Sequence, residues 1–346
     1  MASGGATMSA TDGVAVEFVG PGAVDVVRVD GPEPGPEAVA VETIVSAVSA
    51  GTELLVYRGE VDRTSVADEQ LPGLDGTLSY PVRYGYAAVG TVTAVGERVD
   101  PSWLGETVFA FNPHESHFLA DPEDLLPIPD DLAPERAALL ANVETAVNFL
   151  LDAGPRIGER VAVFGQGVVG LLTTALLCRT DVETVVAVEP LAPRRELAER
   201  LGADLTVDPD RRDPVAAVRE ATGAVDLAIE VSGRPSTLET AIGATGYDGR
   251  VVVGSWYGTK REPIGLGEHF HRGRISVDSS QVSTVDPARR GRWDRSRRRD
   301  VALSRLRELD VDRLLTHRIP AGEAPRAYRL LADRPGDAVQ VLLTYE

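Results

Sequence analysis

Along the first 150 residues, short apolar runs alternate with clusters of turn-forming residues. β-rich stretches from Val14 to Val48 are interrupted by Gly31-Pro32-Glu33-Pro34-Gly35-Pro36, and the pattern resumes from Tyr80 to Val92 before closing at Gly96. Runs of this length bounded by glycine and proline predict twisted antiparallel strands. The segment after Ser46 predicts a helix or loop ending at Arg58. Phe109 to Phe118 predicts a short strand passing into a loop with two histidines. Leu132 to Leu151, with apolar positions three and four apart, predicts a helix.

The pattern then changes. Val161-Ala162-Val163-Phe164 predicts a buried strand, Leu171 to Cys178 a helix, and Val185 to Val188 a second strand. The alternation continues with strands at Val225–Val231, Arg250–Val253 and Ile275–Val277 and a helix at Ser236–Thr245. Such alternation builds a doubly wound parallel sheet that takes ligands at the carboxyl ends of its strands. A basic helix over Arg289–Leu309 and a closing strand over Val339–Tyr345 complete the chain, which shows no internal repeat.

The link between the first buried strand and its helix is Gly165-Gln166-Gly167-Val168-Val169-Gly170, a G-x-G-x-x-G run, and the second strand ends at Glu189, nineteen residues after Gly170. Gly165 allows the tight turn out of the strand, Gly167 lets a pyrophosphate approach the backbone, and Gly170 lets the helix pack closely. The helix start offers N–H groups and a positive dipole end to phosphates. Glu189 is placed to accept adenosine ribose hydroxyls and to repel a 2′-phosphate, which favours NAD. Arg194 and Arg195 just beyond it leave NADP open. Strand, turn, helix, strand and terminal acid in order predict a dinucleotide site over these residues. Ser232, Gly233, Ser255, Trp256 and Ser280, at the carboxyl ends of later strands, belong to the same expected crevice.

Composition sharpens this picture. The chain has 346 residues, enough for two cores, and carries 53 acidic against 35 basic residues for a net charge of −18. Lys260 is its only lysine. Excess carboxylate with almost no lysine suits very high salt, where screening removes self-repulsion; an acidic cytoplasmic enzyme from a GC-rich genome would look similar. The charge argues against nucleic acid or an anionic membrane as a partner. The single cysteine, Cys178, forms no intrachain disulfide. Neither a membrane-length apolar run nor a secretory pattern is present, so a cytoplasmic location is expected, with MASGGATMSATDG as a disordered lead-in.

A β-rich first half, a dinucleotide fold inserted after it and a C-terminal return together resemble the medium-chain dehydrogenase/reductase superfamily over nearly the whole chain. Ala50-Gly51-Thr52-Glu53 is similar to that family's C-G-T-D segment, and Tyr84-Gly85-Tyr86-Ala87 stands where its zinc-binding members have G-H-E. The wording around both segments looks most like zinc-free members related to bacteriochlorophyllide a dehydrogenase. The resemblance implies an α/β protein: a β-rich GroES-like catalytic domain from residues 1–150 and 284–346, and a Rossmann domain over residues 151–283. A small-molecule substrate and a homodimer follow from it as expectations.

The departures from the family concern zinc. A catalytic zinc takes three protein ligands from Cys, His or carboxylate. Here the cysteine position is Ala50, the histidine position is Tyr86, and Leu140-Ala141-Asn142 offers no donor before Glu144. No metal is therefore expected, although His114, His117 and Glu144 are the donors that would have to gather around one. Thr52 matches the family's hydroxyl-relay position, Leu55 replaces its relay histidine, and Tyr86 becomes a candidate acid. His114 and Glu144 are further catalytic candidates. Trp256-Tyr257 would wall a flat pocket, and His269 and His271 lead into the next strand. Nine arginines between Arg289 and Leu309 are either a solvated face or a cation cluster for an anionic substrate. The expected activity is zinc-independent, NAD-dependent interconversion of an alcohol and a carbonyl. Reduction of a conjugated C=C bond and a non-catalytic nucleotide-binding role are the alternatives.

Overall fold

The computed structural model describes residues 12–67, 74 and 76–345. Most of the polar lead-in, residues 1–11, lies outside them.

Three sheets are formed among the described residues. The hairpin β1 (Asp12–Gly20) and β2 (Ala23–Asp30) takes the two-residue β4 (Val82–Arg83) on its other edge. The second sheet runs β15 (Leu315–Pro320), β16 (Gln340–Thr344), β3 (Val39–Ala47), β5 (Ala88–Val95), β6 (Thr107–Ala110) and β8 (Leu126–Pro127), with β7 (His117–Ala120) also on β3. In it Leu342 pairs with Ala47. The last strand of the chain thus lies beside one of the first.

The third sheet is wholly parallel, in the order β11 (Leu205–Val207), β10 (Thr184–Val188), β9 (Arg160–Phe164), β12 (Val225–Glu230), β13 (Thr245–Val253), β14 (Ser276–Ser279). Its central strands are continuous apolar runs because helices cover both faces: α4 (Val168–Leu177), α5 (Ala192–Arg200), α6 (Pro214–Thr222) and α7 (Pro235–Ala244). Counted along the sheet the order is 3-2-1-4-5-6, which reverses between β9 and β12. Sheets of this order take their ligands in a crevice at such a switch point.

The sequence pattern needs two adjustments. The helix expected over Leu132–Leu151 is a short α2 (Pro134–Ala137), a turn at Ala138–Leu139, and α3 (Leu140–Ala153). The arginine-rich helix begins only at Arg295: α8 spans Arg295–Glu308, its first turn capped by Asp294, whose carboxylate accepts from the Arg297 N–H at 2.7 Å.

α1 (Ala50–Arg58) and α9 (Ala324–Asp333) close a core of their own under the hairpin. The largest core runs without a break from Val45, Ala47 and Val89 of the mixed sheet, through Val143 and Ala146 of α3, to Leu171 and Leu172 of α4. α3 is therefore the wall that the mixed sheet and the parallel sheet share.

Candidate functional site

The turn between β9 and α4, expected from the sequence to hold phosphates, is shaped by its glycines. Gly165 has φ +97°, and a Cβ there would lie 2.6 Å from Ser232 Cα. A Cβ on Gly170 would lie 2.0 Å from the Gly165 carbonyl oxygen. Over Gly167, by contrast, the nearest atom to such a Cβ would be Arg194 Nη1 at 4.0 Å. The backbone is thus crowded where it packs and open where a pyrophosphate would lie. α4 starts at Val168, and its first-turn N–H groups have no acceptor within the helix. Val168 is buried and Val169 half-buried; Gln166 is buried and turned inward, its amide donating to Val163 O at 3.2 Å and accepting from Thr174 at 3.0 Å.

Glu189 is buried at the tip of β10. One carboxylate oxygen accepts from the Gln166 N–H at 2.7 Å and the other from the Leu191 N–H at 3.1 Å. Each oxygen keeps a second lone pair for a hydroxyl. Arg194 gives Nη2 to the carbonyls of Pro335 and Ala338, at 2.8 and 3.0 Å. Burial pulls its guanidinium below the usual arginine range, with Glu189 opposing the shift. Arg195 holds the carbonyls of Glu189 and Pro190 and pairs with Asp208.

Across the crevice, the Ser232 N–H donates to Glu230 at 2.7 Å, and the Gly233 N–H donates to Ser255 Oγ at 2.8 Å. Tyr257 also donates to the buried Glu230; burial and that carboxylate hold its phenol well above the tyrosine range. Trp256 beside it is 43% exposed. Lys260 reaches the Gly233 carbonyl at 3.1 Å and pairs with Glu60 at 3.4 Å. The Thr259 N–H donates to Glu60 O at 2.8 Å. The loop after β13 is thereby strapped to the loop after α1. Ser280 instead turns behind the crevice, buried against Asn148 and Asp152. His269 faces Thr245 and Arg219, with His271 exposed next to it.

A cluster of hydroxyls stands at the start of α1. Tyr86 donates to Thr52 Oγ1 at 3.1 Å, and its hydroxyl also bonds Ser49 Oγ. Ser49 is in turn fixed by its N–H, which donates to Glu53 Oε1 at 2.6 Å. Glu53 Oε2 accepts from Tyr328 at 2.6 Å and lies 3.0 Å from His114 Nε2, and His114 Nδ1 bonds Ser46 Oγ at 2.7 Å. Ser46, Glu53, His114 and Tyr328 are each 0% exposed. Although Ser46, His114 and Glu53 are bonded in the order of a nucleophilic triad, nothing can reach the serine. His114, a catalytic candidate from the sequence, is instead a core residue out of reach of a substrate, closed over by Gly85, whose Cβ would lie 2.7 Å from the ring. His117 lies partly exposed beside Ser116, in a hollow it shares with Gly13, Thr344 and Tyr345.

Glu144 also departs from expectation. It does not face a cleft: buried on α3, it accepts from Arg298 Nε and Nη2 at 3.0 and 2.9 Å. Arg298, 1% exposed, also donates to Asn148 at 2.7 Å and to Val282 O at 2.5 Å. That takes Arg298 out of any binding site for an anionic substrate. Arg299 lies 3.6 Å from the same carboxylate and over the Phe111 ring. Among the described residues no three His, Cys, Asp or Glu side chains stand close enough to share an ion, so His114, His117 and Glu144 do not converge. No helix among those residues is long and apolar enough to cross a membrane. Sequence reasoning passed over Ser49 and its tie to Glu53, although Ser49 directly precedes the Ala50-Gly51-Thr52-Glu53 segment.

The family described as zinc-binding dehydrogenase matches residues 168–295. The (R,R)-butanediol dehydrogenase of Bacillus subtilis is 33% identical over 202 residues, which are 50% of this chain and 58% of that one, under two thirds of its length. An L-threonine 3-dehydrogenase of Thermococcus kodakarensis is 29% identical over 261 residues, covering 66% of this chain and 71% of its own. Superposed on the crystal structure of the Bacillus subtilis 2R,3R-butanediol dehydrogenase, the chain gives a TM-score of 0.79 at 25% identity, covering 96% of this chain and 99% of that one. A structure from Sinorhizobium meliloti described as a zinc-binding dehydrogenase bound to NADP gives 0.77 at 23% identity, covering 96% and 99%. The fold is that of alcohol dehydrogenase-like proteins.

Proposed function

Starting from the zinc-type, alcohol dehydrogenase-like medium-chain superfamily, membership of which these matches support, we propose that the chain is an NAD(P)-dependent oxidoreductase that interconverts an alcohol and a carbonyl without zinc. The observation that carries the reading is Tyr86: its hydroxyl lies between Ser49 and Thr52, where the resemblance puts a metal-binding histidine.

The open backbone over Gly167, the start of α4 and the free lone pairs of Glu189 fit a dinucleotide. When bound, its nicotinamide delivers or accepts a hydride at the substrate carbon. Glu189 favours NAD over NADP, and Arg194 is partly committed to Pro335 and Ala338. The residues do not fit zinc. Ala50 offers no donor, the Tyr86 phenol is a poor zinc ligand beside Cys, His or carboxylate, and Glu144 is paired with Arg298.

In the reducing direction Tyr86 gives its proton to the oxygen of the new alcohol. The phenolate left behind accepts from the hydroxyls of Ser49 and Thr52, which stabilise its charge. Glu53, held by Tyr328 and His114, keeps Ser49 in place. Glu144 has no part in this step. The dehydrogenase names of the relatives favour an alcohol and carbonyl pair over a conjugated C=C bond. We read residues 151–283 as the dinucleotide domain. We also read the exposed edge strand β14 as the seam of a homodimer, and the acidic surface as suited to high salt.

The test is Tyr86→Phe. With cofactor affinity unchanged, kcat should fall about 100-fold or more, the usual worth of a positioned acid. Elemental analysis of the active wild type should give far less than one zinc per chain. Full activity in Tyr86→Phe, or activity that tracks a stoichiometric zinc, would refute the mechanism.

A further inference from the structure

Resting on the dinucleotide reading above, we infer that Gln340 recognises the nicotinamide-side ribose of the cofactor, its side-chain carbonyl accepting from a ribose hydroxyl.

The amide of Gln340 is 1% exposed at the start of β16. Its Nε2 donates to two carbonyls, Val48 O at 2.9 Å and Val341 O at 2.8 Å. Two acceptors on one side fix the orientation of the amide, since flipping it would set oxygen against oxygen. Oε1 is then the atom turned away from those two carbonyls; it is buried, and among the described residues it has no donor. A buried acceptor without a donor is costly enough that native proteins rarely keep one without a purpose.

Its neighbours indicate what that donor belongs to. Two residues earlier in the chain, the Ala338 carbonyl is held by Arg194, whose Nη1 is the nearest group over the open face of Gly167. On its other side, Gln340 holds Val48, the residue before Ser49, which bonds the Tyr86 hydroxyl. The run from Ala338 to Val341 therefore has the phosphate turn at one end and the proposed proton donor at the other. The three steps from Ala338 to Val341, with a bend at Val339 before the strand begins, span at most about 10 Å. In a dinucleotide laid from pyrophosphate to reacting ring, the part between is the nicotinamide ribose. It carries hydroxyl donors and no negative charge. An amide carbonyl suits that group and would not suit a phosphate, which offers only acceptors.

Ligands that differ by this ribose test the assignment. NAD and ADP-ribose carry it and ADP does not. Isothermal titration of wild type, Gln340→Leu and Gln340→Lys is the measurement. Lysine keeps donors for the Val48 and Val341 carbonyls and removes the acceptor. Both variants should bind NAD and ADP-ribose about ten-fold more weakly, the size of one hydrogen bond, with ADP affinity unchanged. Retained ADP affinity also shows that the variants are folded. Equal weakening of all three ligands, or unchanged ADP-ribose affinity in both variants, would overturn the assignment to Gln340. A wild type that binds none of the three would instead overturn the dinucleotide reading itself.

Discussion

Replacing Arg298 by methionine removes a guanidinium that is 1% exposed and keeps most of the stem's volume. Glu144, with 3% of its side chain exposed, then loses both of its short bonds and, among the described residues, keeps the Arg299 guanidinium at 3.6 Å. Breaking a buried pair from one side costs about 3–5 kcal/mol, because the remaining charge stays desolvated. The Asn148 and Val282 contacts go as well, so the upper part of that range is expected. Removing both charges, in Glu144→Leu with Arg298→Met, should recover about 2 kcal/mol or more, since well-packed apolar replacements of a buried pair are often neutral. Arg307 and Asp131 form the control: with side chains 45% and 64% exposed, their pair should be worth under about 1 kcal/mol. Urea unfolding of the wild type, the single variants and the double variant gives the cycle. Glu144→Gln should lower stability while leaving the pH profile of kcat in place. A cost below about 1 kcal/mol for Arg298→Met, or a double variant as unstable as the sum of the singles, would refute the argument.

The phosphate turn and the thiol give two further predictions. Gly170→Ala should abolish dinucleotide binding in an NADH fluorescence titration while the chain stays folded by circular dichroism, because its Cβ would lie 2.0 Å from the Gly165 carbonyl; normal affinity would contradict the packing described. Burial, with Asp204 adding to it, pushes the Cys178 thiol up to about 11 from 9.0. At pH 8 its thiolate fraction should therefore be about 100-fold below that of an unshifted thiol, and the native chain should react with Ellman's reagent correspondingly slowly until urea is added; rapid native labelling would contradict it.

The parallel sheet was legible because its signals are local. A buried parallel strand must be apolar along its length, and a phosphate turn must use glycine where the backbone is crowded, as at Gly165 and Gly170. Partners far apart in sequence left no such trace. Glu144 and Arg298 are 154 residues apart, and nothing in the run Asn142-Val143-Glu144-Thr145 distinguishes a buried carboxylate from one facing a cleft. His114 sits in a loop with turn-like composition, yet Gly85 and Glu53 from other segments enclose it. Tyr86 and Thr52 came from the resemblance. Ser49, which holds the same hydroxyl, emerged only with the geometry.

The strap between the parallel sheet and α1 also bears on how the protein can be handled. In a chain whose other basic side chains are all arginines, Lys260 carries the sole side-chain primary amine, and it lies on Gly233 and Glu60 at the rim of the crevice. Amine-reactive resins, dyes and crosslinkers therefore find one side-chain target, and it is the one that ties the loop after β13 to the loop after α1. Coupling there replaces a cation by an amide and frees Glu60. Immobilised preparations would be tethered by the edge of their own site, whereas Cys178, with its thiol pushed up by burial, offers no ready alternative until the chain is unfolded.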